Sequence, residues 1–284
     1  MLIALFRLLA RLPLPWLHRA GSALGWLVYR LSPTYASRLR ENLYASGVCA
    51  GTACAALLRR AVAETGKGVT ELIAVWFGSD DKVSRLVRCE TWNVVEEARR
   101  GGKGLIFLTP HLGCFEISAL YGAQRLPITV LYRPPKLRWI EPLMVAGRSR
   151  WQSTVAPATL KGVRMLYKAL QRGEAVGLLP DQAPGVGEGV WAEFFGRPAY
   201  TMTLVARLQK TTGAAVIMAF AERLPRGAGY HLHLQAMPTD NLDETTLNRA
   251  IENLVRTCPA QYLWGYNRYK VPAGAEPPRM KDEG

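Results

Sequence analysis

From about Val83 to Thr257, short apolar runs alternate with stretches of helical periodicity, and this alternation constrains the fold more than any other feature of the chain. Strands are expected at Arg85–Cys89, Leu105–Leu108, Ile128–Tyr132, Ala175–Leu179, Ala215–Ala221 and Tyr230–Ala236. Between them, helices are expected at Asn93–Arg100, from about Phe115, and at Ile140–Arg148, Lys161–Gln171, Thr203–Thr211 and Glu244–Thr257. Interleaving of this kind predicts an α/β fold, a central mostly parallel or mixed sheet flanked by helices. Residues 2 to about 77 read as helical throughout, broken at Pro13, Pro15 and Pro33 and turned at Gly47–Gly51. The expected organisation is a membrane-associating helical segment over 1–45, a main domain over 46–272 and a flexible tail over 273–284.

Charge narrows the choice of partner. The 284 residues carry a net charge of +14, which calls for nucleic acid, an anionic membrane surface or an anionic substrate and carrier. Met1 to Arg40 contains no acidic residue, while Arg7, Arg11, Arg19, Arg30, Arg38 and Arg40 stand among Leu, Trp and Ala. Nucleic-acid arms are basic and polar; a basic and apolar segment reads as one lying in a membrane interface. Its charge-free stretches, Leu12–Leu17 and Ala20–Tyr29, are shorter than the ~20 residues of a membrane span. A secretory signal is rejected because Arg11, Pro13, Pro15 and Arg19 interrupt the apolar run. An ordinary amphipathic helix packed on the domain remains the other reading. Five scattered cysteines with no CxxC pair indicate neither a disulfide framework nor a zinc ribbon, and fit a reducing compartment.

GxxxxGK[ST], GxGxxG and GxSxG are all absent from the sequence. His231 and His233 stand two apart on a strand and face the same way, but no HExxH motif or close carboxylate supports a metal, and none is expected. His111 is the stronger candidate. It lies just beyond Leu108, at the strand end where α/β proteins gather their chemistry, with Glu116 five residues on. Two helical positions so spaced point about 140° apart. The pair therefore meets only if His111 lies on a loop and Glu116 reaches back from the first turn of the helix. Such a carboxylate would fix the imidazole tautomer and stabilise the imidazolium. Equally, Glu116 could merely complement the helix dipole, and spacing does not decide. Cys114, beside a helix start, offers a rival thiolate mechanism, or simple packing.

The company His111 keeps decides the matter. Gly102-Lys-Gly104 precedes the strand, and Tyr132-Arg133-Pro-Pro-Lys136 follows the next one. Then come Gly162-Val-Arg164, Leu179-Pro-Asp181-Gln182, Phe194-Phe-Gly-Arg197-Pro198 and Trp264-Gly-Tyr-Asn-Arg268-Tyr-Lys270. In this order the motifs resemble the late acyltransferases of lipid A biosynthesis, within the wider His-x4-Asp/Glu group of glycerol-phosphate acyltransferases, over nearly the whole chain. The resemblance implies transfer of a fatty acyl chain from a thioester, usually on acyl carrier protein, otherwise on coenzyme A, to a hydroxyl of a lipid A precursor. His111 would be the general base and Glu116 its orienting partner, with no acyl-enzyme and no resident cofactor, leaving Cys114 to packing. Arg133 and Arg164 match basic positions of the family and would bind acceptor phosphates or steady the oxyanion. Asp181 and Gln182 would line the cleft, and Lys136 and Arg197 would contact phosphate or carrier. The implied setting is the cytoplasmic face of the inner membrane, against an anionic lipid surface and without nucleic acid. Asn267 stands where relatives often carry a basic residue, so a lysophospholipid acceptor stays open, as does a non-catalytic lipid-binding protein.

Overall fold

The structure, a computed structural model, describes residues 2–135 and 137–277. Seven strands form one sheet: β1 (Val87–Arg88), β2 (Leu105–Leu108), β3 (Ile128–Tyr132), β4 (Ser153–Pro157), β5 (Ala175–Leu178), β8 (Ala215–Arg223) and β9 (Tyr230–Met237). Their order is β1-β9-β8-β2-β5-β3-β4, parallel throughout except for the antiparallel β8–β9 pair. The central strand β2 reads Leu-Ile-Phe-Leu with every residue buried, as a parallel strand covered on both faces requires. Around the sheet lie α6 (Asn93–Arg99), α7 (Phe115–Ala123), α8 (Glu141–Arg148), α9 (Leu160–Gln171), α10 (Leu204–Thr212) and α11 (Glu244–Thr257). The expected mostly parallel, helix-flanked sheet is thus what the chain forms.

The differences are local. The first expected strand shrinks to Val87–Arg88, because Arg85 closes α5 (Asp80–Arg85), whose start is capped by the Ser79 side chain. Strand β4 was not expected: Ser-Thr-Val-Ala-Pro is half polar because it is a sheet edge, where proline is tolerated. The Phe-Phe-Gly-Arg-Pro motif lies on a separate hairpin of β6 (Gly189–Phe194) and β7 (Arg197–Met202). Its two-residue turn, Phe195-Gly196, has both residues at positive φ, 47° and 71°, the backbone a tight hairpin demands.

Ahead of α5 lie α1 (Leu2–Leu9), α2 (Leu14–Leu31), α3 (Pro33–Ala45) and α4 (Ala53–Phe77). Pro15 lies in the first turn of α2 and Pro33 begins α3, where a missing N–H costs nothing. Helices α2 and α4 touch backbone to backbone. A Cβ on Gly66 would stand 1.9 Å from the Gly21 carbonyl oxygen, and one on Gly25 2.3 Å from that of Val62. The N-terminal helices are also part of the core. Leu39 and Leu43 of α3 pack with Ile106 and Leu108, and Leu14 and Leu17 of α2 with Phe107. A buried charge cluster ties them down further: Glu71 of α4 accepts from Arg223 at 2.7 and 2.8 Å, from Tyr230 at 3.0 Å, and contacts His18 at 3.3 Å. Cys49 and Cys54 are disulfide-bonded across the turn between α3 and α4, with Cα atoms 5.2 Å apart. This corrects the expectation of free thiols; the turn at Gly47–Gly51 brings the pair together, which a five-residue spacing does not announce.

Of the expected tail, residues 273–277 form a turn and coil over the hairpin, where Trp191 donates to the Glu276 carbonyl, and 278–284 lie outside the described residues.

Candidate active site

The carboxyl ends of neighbouring strands β2 and β5 supply the site. Beyond β2, Thr109-Pro110 leads into a loop held on several sides before α7 begins. The Leu112 segment bridges Tyr262, Gly113 bridges Ala221, and Leu263 N donates to His111 O at 3.0 Å. Gly113 is indispensable there: its φ is +62° and a Cβ would stand 2.0 Å from the Ala221 oxygen. Arg223, fixed by Glu71, also donates to the Gly113 carbonyl at 2.7 Å, so the buried charge cluster steadies the site loop directly.

His111 does lie on this loop, but its carboxylate is Asp181, beyond β5. Nδ1 stands 2.8 Å from Oδ1 of Asp181, and the His111 backbone N–H donates to Oδ2 at 2.9 Å. One carboxylate therefore fixes both the main chain and the ring. The Gln182 amide donates to Nε2 at 3.1 Å. With Nδ1–H given to Asp181, the Nε2 lone pair is the basic position, held by the Gln182 amide until another donor replaces it, and the Phe115 and imidazole ring centroids lie 4.8 Å apart. Asp181 is fully enclosed. Burial works against its charge, but the neighbouring His111 and its two hydrogen bonds outweigh burial and hold the carboxyl below its ordinary range. Tyr262 beside it has its phenol pushed well up, first by burial and then by the Asp181 charge.

Glu116 is not the partner that spacing suggested. Buried in the first turn of α7, it turns away to accept from Trp76 Nε1 at 3.1 Å and Arg148 Nε at 2.9 Å, with a second guanidinium contact. A bidentate guanidinium in a dry setting outcompetes a loop imidazole for a carboxylate. Burial opposes the Arg148 charge, yet Glu116 raises its pKa above the ordinary value. Trp76 and Arg148 escaped sequence reading because α4 and α8 carry them from distant parts of the chain. Cys114 is buried, its thiol pushed well up first by burial and next by Glu71. That is the reverse of what a nucleophilic thiolate needs.

Arg133, past β3, and Arg164, on α9, are exposed near the carboxyl edge of the sheet, and neither is brought against His111. Arg197 is held by Glu41 at 3.1 Å and lies 3.9 Å over the Tyr269 ring, a packing role on the hairpin. Lys136 lies outside the described residues. His231 and His233 do share a face of β9, and the sheet brings them the carboxylate that the sequence did not show, Glu222.

Next to Trp76 an open cleft of about 710 Å³ is lined by Ile3, Arg7, Arg11, Phe77, Lys82 and Arg150. The outer surface of α1, α2 and the turn between them exposes Ile3, Leu5, Leu8, Leu12, Trp16, Leu24, Leu27, Val28 and Leu31. Among the described residues, no helix is long and apolar enough to cross a membrane.

Fold and site together define an α/β protein with an imidazole steadied by a buried carboxylate at the carboxyl edge of a mostly parallel sheet. Residues 1–271 match the family described as bacterial lipid A biosynthesis acyltransferase, and the chain belongs to that family. It is similar to the lipid A biosynthesis lauroyltransferase of Escherichia coli K12, 26% identical with 98% of this chain and 92% of that one aligned. The palmitoleoyltransferase of the same organism is 27% identical, over 92% of this chain and 87% of its own. A lipid A biosynthesis acyltransferase of Haemophilus influenzae is 25% identical over 99% and 92%. The protein is thus an acyltransferase, and its chemistry is acyl transfer onto lipid A.

Proposed function

We propose that the protein moves a fatty acyl chain from the thioester of acyl carrier protein to a free hydroxyl of a lipid A precursor, at the cytoplasmic face of the inner membrane. The observation that carries this is the His111–Asp181 contact at 2.8 Å, which leaves Nε2 as the base. His111 takes the proton of the acceptor hydroxyl as its oxygen attacks the thioester carbonyl carbon. The tetrahedral intermediate collapses with loss of the C–S bond, the proton passes to the carrier thiol, and an ester remains. Asp181 keeps the imidazole in the correct tautomer and balances its transient charge. The Glu116–Arg148 pair holds the start of α7 and is tied to Trp76, which also lines the open cleft.

That cleft suits the acceptor. Its Arg7 and Arg11 offer charge to lipid phosphates, and Ile3 and Phe77 offer apolar contact. Arg133, just past β3, and Arg164, on α9, are exposed, where an acidic carrier or phosphates would approach. The apolar row on α1 and α2, with arginines stacked on Trp16 and Trp26, fits a protein lying in the headgroup layer of an anionic bilayer. A thioester donor made inside the cell favours the cytoplasmic face.

Purified protein in lipid micelles, given acyl carrier protein charged with fatty acid and an underacylated lipid A precursor, should yield an acceptor heavier by one acyl group on mass spectrometry. His111→Ala should abolish the product. Transfer from acyl-coenzyme A in preference to the carrier, or to lysophospholipid in preference to the lipid A precursor, would replace this reading of donor or acceptor.

A further inference from the structure

The hairpin of β8 and β9 gathers metal-ligand chemistry from residues that take no part in holding His111. His231 and His233 leave the same face of β9, and their ring centroids lie 4.2 Å apart. The antiparallel register sets Glu222 directly opposite His231. His233 is then its diagonal neighbour, within reach of a long side chain, and Glu222 Oε2 lies 3.0 Å from His233 Nε2. One ligand atom from each of the three lies within 4.8 Å of the others. A tetrahedral ion with bonds of about 2.0–2.2 Å holds its donors roughly 3.5 Å apart, so side-chain rotation alone closes the set. The backbone that fixes them is a paired antiparallel ladder, which resists adjustment better than a loop would.

A fourth donor stands nearby on the adjoining strand. Glu90 follows β1, which pairs with β9, and its Oε2 is 3.9 Å from His231 Nε2. The histidine side chains are about a third exposed, 29% for His231 and 36% for His233, so an ion can enter without disturbing the core. Among the described residues, no lysine or arginine forms an ion pair with Glu222, and its contact is His233.

We propose that Glu222, His231 and His233 form a binding site for a divalent transition metal of the zinc type, closed by Glu90. Two imidazoles with carboxylates favour zinc and its neighbours over calcium or magnesium, which take oxygen donors. With four protein ligands the site is structural. It fastens β1, only two residues long, to the strands beside it. The proposal stands whether or not the donor and acceptor above are correct, because binding is read without turnover.

The test uses full-length protein without a histidine tag, in detergent, stripped with chelator and dialysed against zinc. Elemental analysis should find one zinc per chain, and cobalt substitution should give the visible absorption of a tetrahedral site. His231→Ala with His233→Ala should lose the bound zinc, and Glu222→Gln should weaken it at least several-fold. Zinc should raise the melting temperature of wild type and not that of the double variant. Wild type that holds no zinc overturns the proposal without any variant. Equal retention by wild type and a folded double variant, or by His233→Gln if the double variant does not fold, also overturns it.

Discussion

Asp181→Asn changes one atom of the side chain and separates the two things Asp181 does. The carboxylate accepts from the His111 backbone N–H at 2.9 Å and faces Nδ1 at 2.8 Å. Asparagine keeps the shape but has one acceptor and one donor. The backbone N–H is always a donor, so the amide oxygen must face it. The amide nitrogen then points at Nδ1 and demands a lone pair there, which moves the ring proton to Nε2. The imidazole becomes a donor where it should be a base, and the charge that balanced its protonated form is gone. General-base catalysis contributes about 10²–10⁴-fold, about 3–5 kcal/mol of barrier, and most of this should disappear from kcat. KM for the acceptor should hardly change, because Asp181 is buried and has no surface to offer a substrate. The assay is acyl transfer in mixed micelles under saturating donor, with thermal melting to confirm the fold. Activity of Asp181→Asn within about three-fold of wild type would refute the argument and return the partner role to another group.

Glu116→Gln leaves Arg148 and Trp76 in place but removes the buried negative charge, so it should cost stability, of order 3 kcal/mol, as well as activity. Denaturant titration separates this from Asp181→Asn, which should lose activity with less stability. The Glu71 carboxyl is held at about 2, since Arg223 and His18 outweigh the burial that would raise it. Because the folded value is depressed, its contribution of about 3 kcal/mol is present above pH ~4.5 and is lost as pH falls towards about 2. Glu71→Gln should therefore be less stable than wild type at neutral pH, and the gap should narrow through that acid window in urea melts. Replacing Leu5, Leu8, Leu12 and Trp16 by Gln removes exposed apolar surface at about 1 kcal/mol each and should lower partition onto anionic liposomes by about 100-fold or more. Flotation that is unchanged would place membrane contact elsewhere. This set is preferable to deleting residues 1–30, which would strip α2 from the glycine seam it shares with α4.

Patterns set by neighbouring residues were legible. The all-apolar Leu105–Leu108 marked a central parallel strand, and Pro110 and Gly113 marked the loop that carries His111. What depends on strand order was not legible. Asp181 reaches His111 only because β5 lies beside β2, although α7, β3, α8, β4 and α9 separate them in the chain. The motif spacing therefore pointed at the nearest carboxylate in sequence, and Glu116 was instead claimed by Arg148, a residue carried in by α8. Glu222 and the β9 histidines repeat the lesson, since only the register of the hairpin shows the third ligand.

The two carboxylates have different jobs for a physical reason. A general base must change charge during the reaction, so its partner must tolerate an imidazole that is neutral at one moment and cationic at the next. Asp181 meets that demand because its second oxygen is satisfied by a backbone N–H, whatever the ring does. Glu116, committed to a guanidinium and an indole, has no such latitude. Its fixed pairing suits a part that must hold the first turn of α7 still. A site that lets the imidazole change charge beside one carboxylate and keeps the other locked would let the loop deliver His111 at constant geometry through both halves of the transfer. Glu116→Asp tests this division: retraction by one methylene should loosen Arg148 and lower the melting temperature, while the pH dependence of kcat should keep its shape.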